Sequence, residues 1–253
     1  KQVQKKFGYE FPMLVKFIDA ETDLSIQVHP DDKLAMERHG CMGKTEMWYV
    51  VDAKPGTYLY AGFSQVITGD EYCRRVKDGT ICEVLAKHPI SAGDAFFIPA
   101  GRVHAICGGA LIAEVQQSSD ITYRIFDYNR MGMDGKPREL HTELAVDAID
   151  YNVHPEYSIS YPQEINKANM VCECEYFTVR QLQLDTKRER NMQHYDSFLI
   201  YICLDGECLI GEDIVLKKGQ TCLIPACCTD VVITPSSPNG AELLEVFVDN
   251  EKF

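Results

Sequence analysis

The sequence predicts an all-β protein made of two jelly-roll β-barrel units with a few short helices, and three observations carry that prediction. Turn signals recur every eight to twelve residues, at Ala53-Lys-Pro-Gly56, Thr68-Gly-Asp70, Lys77-Asp-Gly79, Ser91-Ala-Gly93 and Gly108-Gly109. Between them lie short β-branched and aromatic runs, the pattern of a sandwich or barrel. One stretch also occurs twice. Ser91-Ala-Gly-Asp-Ala-Phe-Phe-Ile-Pro-Ala100 aligns with Lys217-Lys-Gly-Gln-Thr-Cys-Leu-Ile-Pro-Ala226, so that Gly93 and Pro99 are matched by Gly219 and Pro225.

The chain of 253 residues is long enough for two such units and their cores. The expected division is 1–130 for a first unit, 131–169 for a turn-rich, partly helical connector, and 170–253 for a second unit. Helical periodicity is weak and best at Pro30 to Gly40 and Glu139 to Tyr151. After the second Pro-Ala come Cys-Cys-Thr-Asp, with neither Gly nor His. If the repeat is real, only the first copy keeps its chemistry.

Composition excludes several classes. A formal charge of −13 argues against nucleic acid, whose phosphates require a basic surface. It leaves room for a small phosphorylated substrate, which needs only a few local cations in a cleft. No apolar run approaches the roughly 18–20 residues of a membrane span. The polar stretch Lys1 to Glu10 does not read as a signal peptide. Eleven cysteines are scattered without framework spacing, several within apolar runs such as Leu199-Ile-Tyr-Ile-Cys203. They read as small buried residues in a reducing cytoplasm.

The chemistry concentrates in three pieces. In Leu24-Ser-Ile-Gln-Val-His-Pro30, period two places Leu24, Ile26 and Val28 on one face and Ser25, Gln27 and His29 on the other. Within a barrel, Gln27 and His29 would project side by side into the lumen. The next strand-like piece, Lys44-Thr-Glu-Met-Trp-Tyr-Val50, puts Lys44, Glu46 and Trp48 on one face. The third is Gly93-Asp-Ala-Phe-Phe-Ile-Pro99-Ala-Gly101-Arg-Val-His104. Its spacing is that of the second cupin motif: a strand, a tight glycine turn, and a strand that starts with an inward His.

A single histidine in a β protein is usually structural. Gln-x-His on one strand face together with the full glycine-to-histidine spacing points instead to a metal site of Gln27, His29, Glu46 and His104. Two imidazoles, a carboxylate and an amide oxygen suit one zinc ion per chain best, with Mn, Fe or Co as alternatives. His39, His88, His141, His154 and His194 have no such context.

With these residues placed, the sequence resembles the class I mannose-6-phosphate isomerases in their short bacterial form. The matching stretches are Phe11-Pro-Met-Leu-Val-Lys-Phe-Ile-Asp-Ala, Leu24-Ser-Ile-Gln-Val-His-Pro-Asp-Asp, Gly43-Lys-Thr-Glu-Met-Trp-Tyr, Gly93 through Ala105, and Ala113-Glu-Val-Gln-Gln-Ser-Ser-Asp-Ile-Thr-Tyr-Arg124. The resemblance implies a zinc-dependent, cytoplasmic enzyme that interconverts mannose 6-phosphate and fructose 6-phosphate through a cis-enediol, in a metal-binding cupin followed by a metal-free one. It implies the same four ligands, and a catalytic role for the Arg of Thr-Tyr-Arg, which falls on Arg124. Family members begin with a segment containing Trp-Gly-Gly and later carry Glu-Ser-Trp-Glu. This chain has neither, so an N-terminal portion with the barrel's first strands is expected to be missing.

Around the ligands, Arg124 would place fixed positive charge at the enediolate or the phosphate. Lys44 would contact a phosphate or hydroxyl, or act as a base if its pKa is depressed. Ser25 could hydrogen-bond the phosphate, and Glu114 is an acid–base candidate. Asp31 and Asp32 read as helix caps. Fold alone does not fix function. A non-enzymatic metal-containing sugar-binding cupin and a cupin Fe(II) dioxygenase are the competing readings, and Gln27 with its nearby Lys and Arg argues against the second.

Overall fold

The computed structural model describes residues 2–132, 135–193 and 196–248. It forms two compact units, Met13–Ile159 and Lys1–Pro12 with Ser160–Phe253. The division at 159/160 falls within the stretch expected to be a connector. Its helices are α1 (Gln2–Phe7), α2 (Asp32–His39), α3 (Gly69–Asp78) and α4 (Thr142–Val146). None of the described helices is long and apolar enough to cross a membrane.

The Met13–Ile159 unit runs through β1 (Met13–Asp19), β2 (Ile26–Val28), β3 (Glu46–Ala53), β4 (Tyr58–Phe63), β5 (Leu85–Pro89), β6 (Ala95–Ile98), β7 (His104–Ile106), β8 (Ala110–Gln117), β9 (Tyr123–Phe126) and β10 (Ser158–Ile159). These make two antiparallel sheets, ordered β1-β8-β3-β6-β10 and β5-β4-β7-β2-β9. Trp48, Val50, Phe96 and Ile112 of the first sheet pack between the layers against Leu59, Ala61 and Ile106 of the second. On its other face the second sheet buries Ile26, Val28, Phe63 and Val103 against Tyr72 and Val76 of α3 and Ala145 of α4. With both faces covered, the polar residues that alternate with Ile26 and Val28 must turn into the lumen.

Two helices of this unit follow local chemistry. The Asp31 carboxylate accepts from the Leu34 N–H at 2.8 Å, and Gly40 closes α2 at φ +67°. The expected Pro30 to Gly40 helix is thus present, as is a short α4 within Glu139 to Tyr151. Helix α3 corrects the sequence reading. Thr68-Gly-Asp70 and Lys77-Asp-Gly79 were expected as turns, but they are its two ends: the Thr68 hydroxyl accepts from the Glu71 N–H, and Gly79 adopts φ +71°. Capping residues and turn residues are the same types for the same physical reason, a side-chain oxygen that accepts from the backbone and a tolerance of left-handed φ.

The second unit contains β11 (Ala168–Glu173), β12 (Thr178–Leu184), β13 (Arg188–Asn191), β14 (Leu199–Ile210), β15 (Ile214–Lys217), β16 (Thr221–Ile224), β17 (Asp230–Pro235) and β18 (Ala241–Phe247). Its sheet runs β11-β12-β18-β14-β17-β13, and β15 and β16 also pair with β14.

The repeat is structural down to individual hydrogen bonds. The Gly93 N–H donates to the Val50 carbonyl at 2.9 Å, and the Gly219 N–H to the Cys203 carbonyl at 2.8 Å. The return bonds match too, Val50 N–H to Asp94 and Cys203 N–H to Gln220. Asp94 and Gln220 then close the same turn with their side chains on the N–H of Ser91 and Lys217. Bulges interrupt β3 after Val50 and β14 after Cys203.

The cysteines differ from expectation. Only Cys107, Cys172, Cys203 and Cys208 are buried, six are half-buried, and Cys227 is exposed. Several occupy strand ends and turns, where neither face is fully covered.

Gly43 links helix α2 to the strand that begins at Glu46. A Cβ there would lie 2.4 Å from the Asp31 carbonyl carbon and 2.6 Å from the Asp32 nitrogen, both backbone atoms that cannot swing aside. Gly43→Ala should therefore lower the melting temperature by several degrees and weaken metal retention about tenfold, because it displaces the Lys44–Glu46 segment. Thermal melts with and without a chelator check this.

Candidate metal centre

Strands from both sheets bring the expected ligands together. Gln27 and His104 face each other across β2 and β7, and Glu46 stands at the start of β3. His29 and His104 lie with ring centroids 4.8 Å apart. The ligand atoms of His29, Glu46 and His104 all fall within 4.8 Å of one another, and all three residues are buried. His29 Nε2 is 3.3 Å from Glu46 Oε1, and His104 Nε2 is 3.7 Å from Glu46 Oε2.

The hydrogen bonds at the far side of each ring fix which nitrogen faces inward. His29 Nδ1 lies 2.8 Å from the Ile121 carbonyl, and His104 Nδ1 lies 2.8 Å from the Arg102 carbonyl. A carbonyl only accepts, so each Nδ1 carries the proton and each Nε2 presents a lone pair to the lumen. This is how ligating histidines are commonly oriented. His29 Nε2 is buried with no hydrogen-bond partner, and it faces Glu46 Oε1, whose other neighbour is the Lys44 ammonium at 2.8 Å. A buried imidazole nitrogen aimed at a carboxylate is costly to leave unpartnered, and a cation between the two would satisfy it. The donor set therefore fits a metal ion.

Gln27 completes the group with its amide 3.2 Å from His104 Nε2. A half-turn of that amide exchanges its nitrogen for the oxygen that a cation requires.

Electrostatics favours the ligating state. Burial alone would raise the Glu46 carboxyl, but His29, His104 and Lys44 outweigh it and hold the group well below the usual carboxylate range. Burial and the neighbouring His29 push His104 down to about 3, so its imidazole stays neutral.

The predicted surroundings are placed unevenly. Lys44 is buried, with Nζ 2.8 Å from Glu46 Oε1. Arg124 lies opposite Gln27 on β9, and so shares its face of the sheet. Residues 139–141 hold it: His141 Nδ1 accepts from the Arg124 N–H at 3.0 Å, and Arg124 Nη1 donates to the Glu139 carbonyl at 2.9 Å. Arg124 Nε remains buried with no hydrogen-bond partner. Glu114 stands opposite Trp48, and both its oxygens are engaged, Oε2 by the Trp48 indole N–H at 2.9 Å and Oε1 by Lys16 at 3.0 Å. Burial first, and Glu46 second, raise the Glu114 pKa. Ser25 is buried just ahead of β2.

Two contributors escaped the sequence reading. Trp48 donates to both Glu46 Oε2 (3.1 Å) and Glu114 Oε2, bridging a ligand to its neighbour. Lys16, with its side chain 41% exposed, joins Glu114 and Gln116. Strand alternation could have found it, since a lysine flanked by Val15 and Phe17 within the apolar run Met13–Ile18 is unusual. His141 also proved to be a support for Arg124 rather than a residue without context.

A jelly roll that holds two imidazoles, a carboxylate and an amide at one point in its lumen defines a cupin equipped for a metal ion. The family comparisons are narrower. Residues 1–56 match the type I phosphomannose isomerase catalytic domain, and 166–236 match the mannose-6-phosphate isomerase cupin domain. Mannose-6-phosphate isomerase ManA of Bacillus subtilis is 36% identical over 224 residues, covering 86% of this chain and 70% of that protein. The mannose-6-phosphate isomerase of Streptococcus mutans is 35% identical over 222 residues, 85% of this chain and 68% of its own length. The crystal structure of the B. subtilis mannose 6-phosphate isomerase superposes with a TM-score of 0.84 at 34% identity, over 94% of this chain and 76% of that one. The chain belongs to the type I mannose-6-phosphate isomerase family.

Proposed function

We propose that the chain interconverts mannose 6-phosphate and fructose 6-phosphate, with one zinc ion held by Gln27, His29, Glu46 and His104. Family membership supports the substrate, and the observation that carries the site is the convergence of the His29 and His104 lone pairs on Glu46. Aldose–ketose isomerisation moves a proton between C1 and C2 through a cis-enediolate. Bound zinc supplies Lewis-acid polarisation at the oxygens where negative charge develops.

The protein's own residues do the rest. The Arg124 guanidinium, anchored by the Glu139 carbonyl, leaves its buried Nε to donate to an anionic oxygen of the substrate. Lys44 is held by Glu46 beside the ligands and would bind a substrate hydroxyl or phosphate oxygen. Lys16 and Trp48 keep Glu114 fixed next to Glu46. Burial and the neighbouring Glu46 raise its pKa, the direction expected of a carboxyl that acts as acid as well as base. Ser25 is assigned to phosphate binding by its place one alternation from Gln27.

The zinc-loaded chain should turn over mannose 6-phosphate in a coupled assay, and a strong chelator should abolish the turnover. A zinc-replete, folded chain without turnover would overturn the reading, and dominant iron on metal analysis would favour oxygenase chemistry.

A further inference from the structure

The two units share a polar row that the metal does not explain. In the first, Lys16, Glu114 and Trp48 stand side by side across β1, β8 and β3. In the second, Arg180, Glu245 and Tyr201 stand side by side across β12, β18 and β14. The contacts correspond. The Trp48 N–H donates to Glu114 Oε2, and the Tyr201 hydroxyl donates to Glu245 Oε2 at 2.8 Å. One register step along, where the first unit has Gln116 and the ligand Glu46, the second has Phe247 and Leu199. At the spacing of His104 the second unit has Asp230, exposed at the start of β17. The ligands are gone, yet the charged row is kept: Glu245 and Tyr201 are each 0% exposed, and Arg180 is half-buried.

The second unit has also gained positive charge. Along β13, Arg188 and Arg190 are half-buried while Glu189 and Asn191 are exposed, so both arginines face inward. Arg190 Nη2 reaches Glu245 Oε1 at 2.9 Å, and Arg180 Nη1 approaches the same oxygen at 3.7 Å. Arg188 makes only a 3.3 Å bond from Nη1 to the Asn166 carbonyl, and its Nε is buried with no hydrogen-bond partner. Both Arg188 and Arg190 lie close enough to Tyr201 to lower its hydroxyl pKa against the raising effect of burial and Glu245. Two guanidiniums thus meet on one carboxylate, and a third, Arg188, stands one alternation from Arg190 on the same strand face. Glu245 offsets one of these three positive charges, and the remainder, gathered in a partly desolvated cup, is unfavourable unless a further anion joins it. Guanidinium forks match tetrahedral oxyanions in shape and charge.

We propose that the second unit, although it lacks the metal ligands, is a binding site for a phosphate group, formed by Arg180, Arg188 and Arg190. Its ligand class is a small phosphate monoester, separate from the turnover site. This rests on the residues of the second unit and not on the isomerase assignment.

Equilibrium dialysis of the whole metal-loaded chain with radiolabelled inorganic phosphate, and tungstate soaked into crystals, test it. Phosphate should occupy a site that persists in Arg124→Ala, and Arg188→Gln should weaken that site at least tenfold while mannose 6-phosphate turnover in the absence of added phosphate is unchanged. Tungstate should lie within reach of the three arginines. If Arg188→Gln does not fold, Arg180→Gln carries the same expectation. Phosphate binding that vanishes in Arg124→Ala, or affinity unmoved by the β13 and β12 variants, would overturn the proposal, as would crystals with no tungstate at the cluster.

Discussion

Glu46→Gln is expected to fold, to retain far less than one metal ion per chain, and to lose at least about a thousandfold in kcat/KM for mannose 6-phosphate. The substitution keeps side-chain shape but removes the one negative charge among the four proposed ligands. In the unaltered protein that charge is stabilised by the Lys44 ammonium and by the Trp48 indole N–H. Without it, Lys44 faces a neutral amide in a buried site, and any cation brought there meets uncompensated positive charge. A metal ion typically supplies several kcal/mol of charge stabilisation in such reactions, which at about 1.4 kcal/mol per decade is the thousandfold stated. Metal content by mass spectrometry, read alongside the coupled assay, checks both halves. Activity near wild type with full metal would show that Glu46 is not a ligand.

Arg124→Ala is expected to separate the two properties: metal content stays at the wild-type level while kcat/KM falls by about two to three orders of magnitude. The arginine is tied to residues 139–141 and not to any ligand, so truncating it leaves the triad's hydrogen bonds intact. What is lost is a buried donor, Nε, that has no partner within the protein. A charge-assisted bond to an anionic substrate contributes about 1.5–3 kcal/mol, and loss of the second fork arm adds to this. Because Glu139 and His141 are anchors for the guanidinium and the backbone, Arg124→Lys should recover little of the loss: a point charge on a flexible stem cannot reproduce the fork. Loss of metal in Arg124→Ala would mean that the side chain supports the ligands instead.

What the sequence revealed follows from which physical rules are local. The proposed ligand set was legible because strand alternation and glycine-dependent turn spacing are short-range. Gln27, His29 and His104 needed only a lumen to meet in, and the second sheet, covered on both faces, provides it. The repeat was legible for the same reason, since Gly93 and Gly219 serve one turn geometry. Helix α3 was missed because Thr68 and Gly79 suit a cap and a turn equally well. Trp48 and Lys16 were missed because their roles depend on β1, β3 and β8 lying side by side, and register between strands about 70–100 residues apart cannot be read from spacing. The arginine cluster of the second unit was hidden likewise. Arg180, Arg188 and Arg190 look like ordinary strand charges until Glu245 is placed among them.

The position of Trp48 gives the chain an optical property. It is the sole tryptophan, its ring 5.2 Å from that of His104 and its N–H on Glu46 and Glu114. All indole emission therefore originates beside the triad, from a group whose hydrogen bonds must readjust whenever the charge on Glu46 is shared with a cation. Filling and emptying of the centre can be followed by unlabelled fluorescence in real time, and the thirteen tyrosines, excited at shorter wavelength, leave that signal clear.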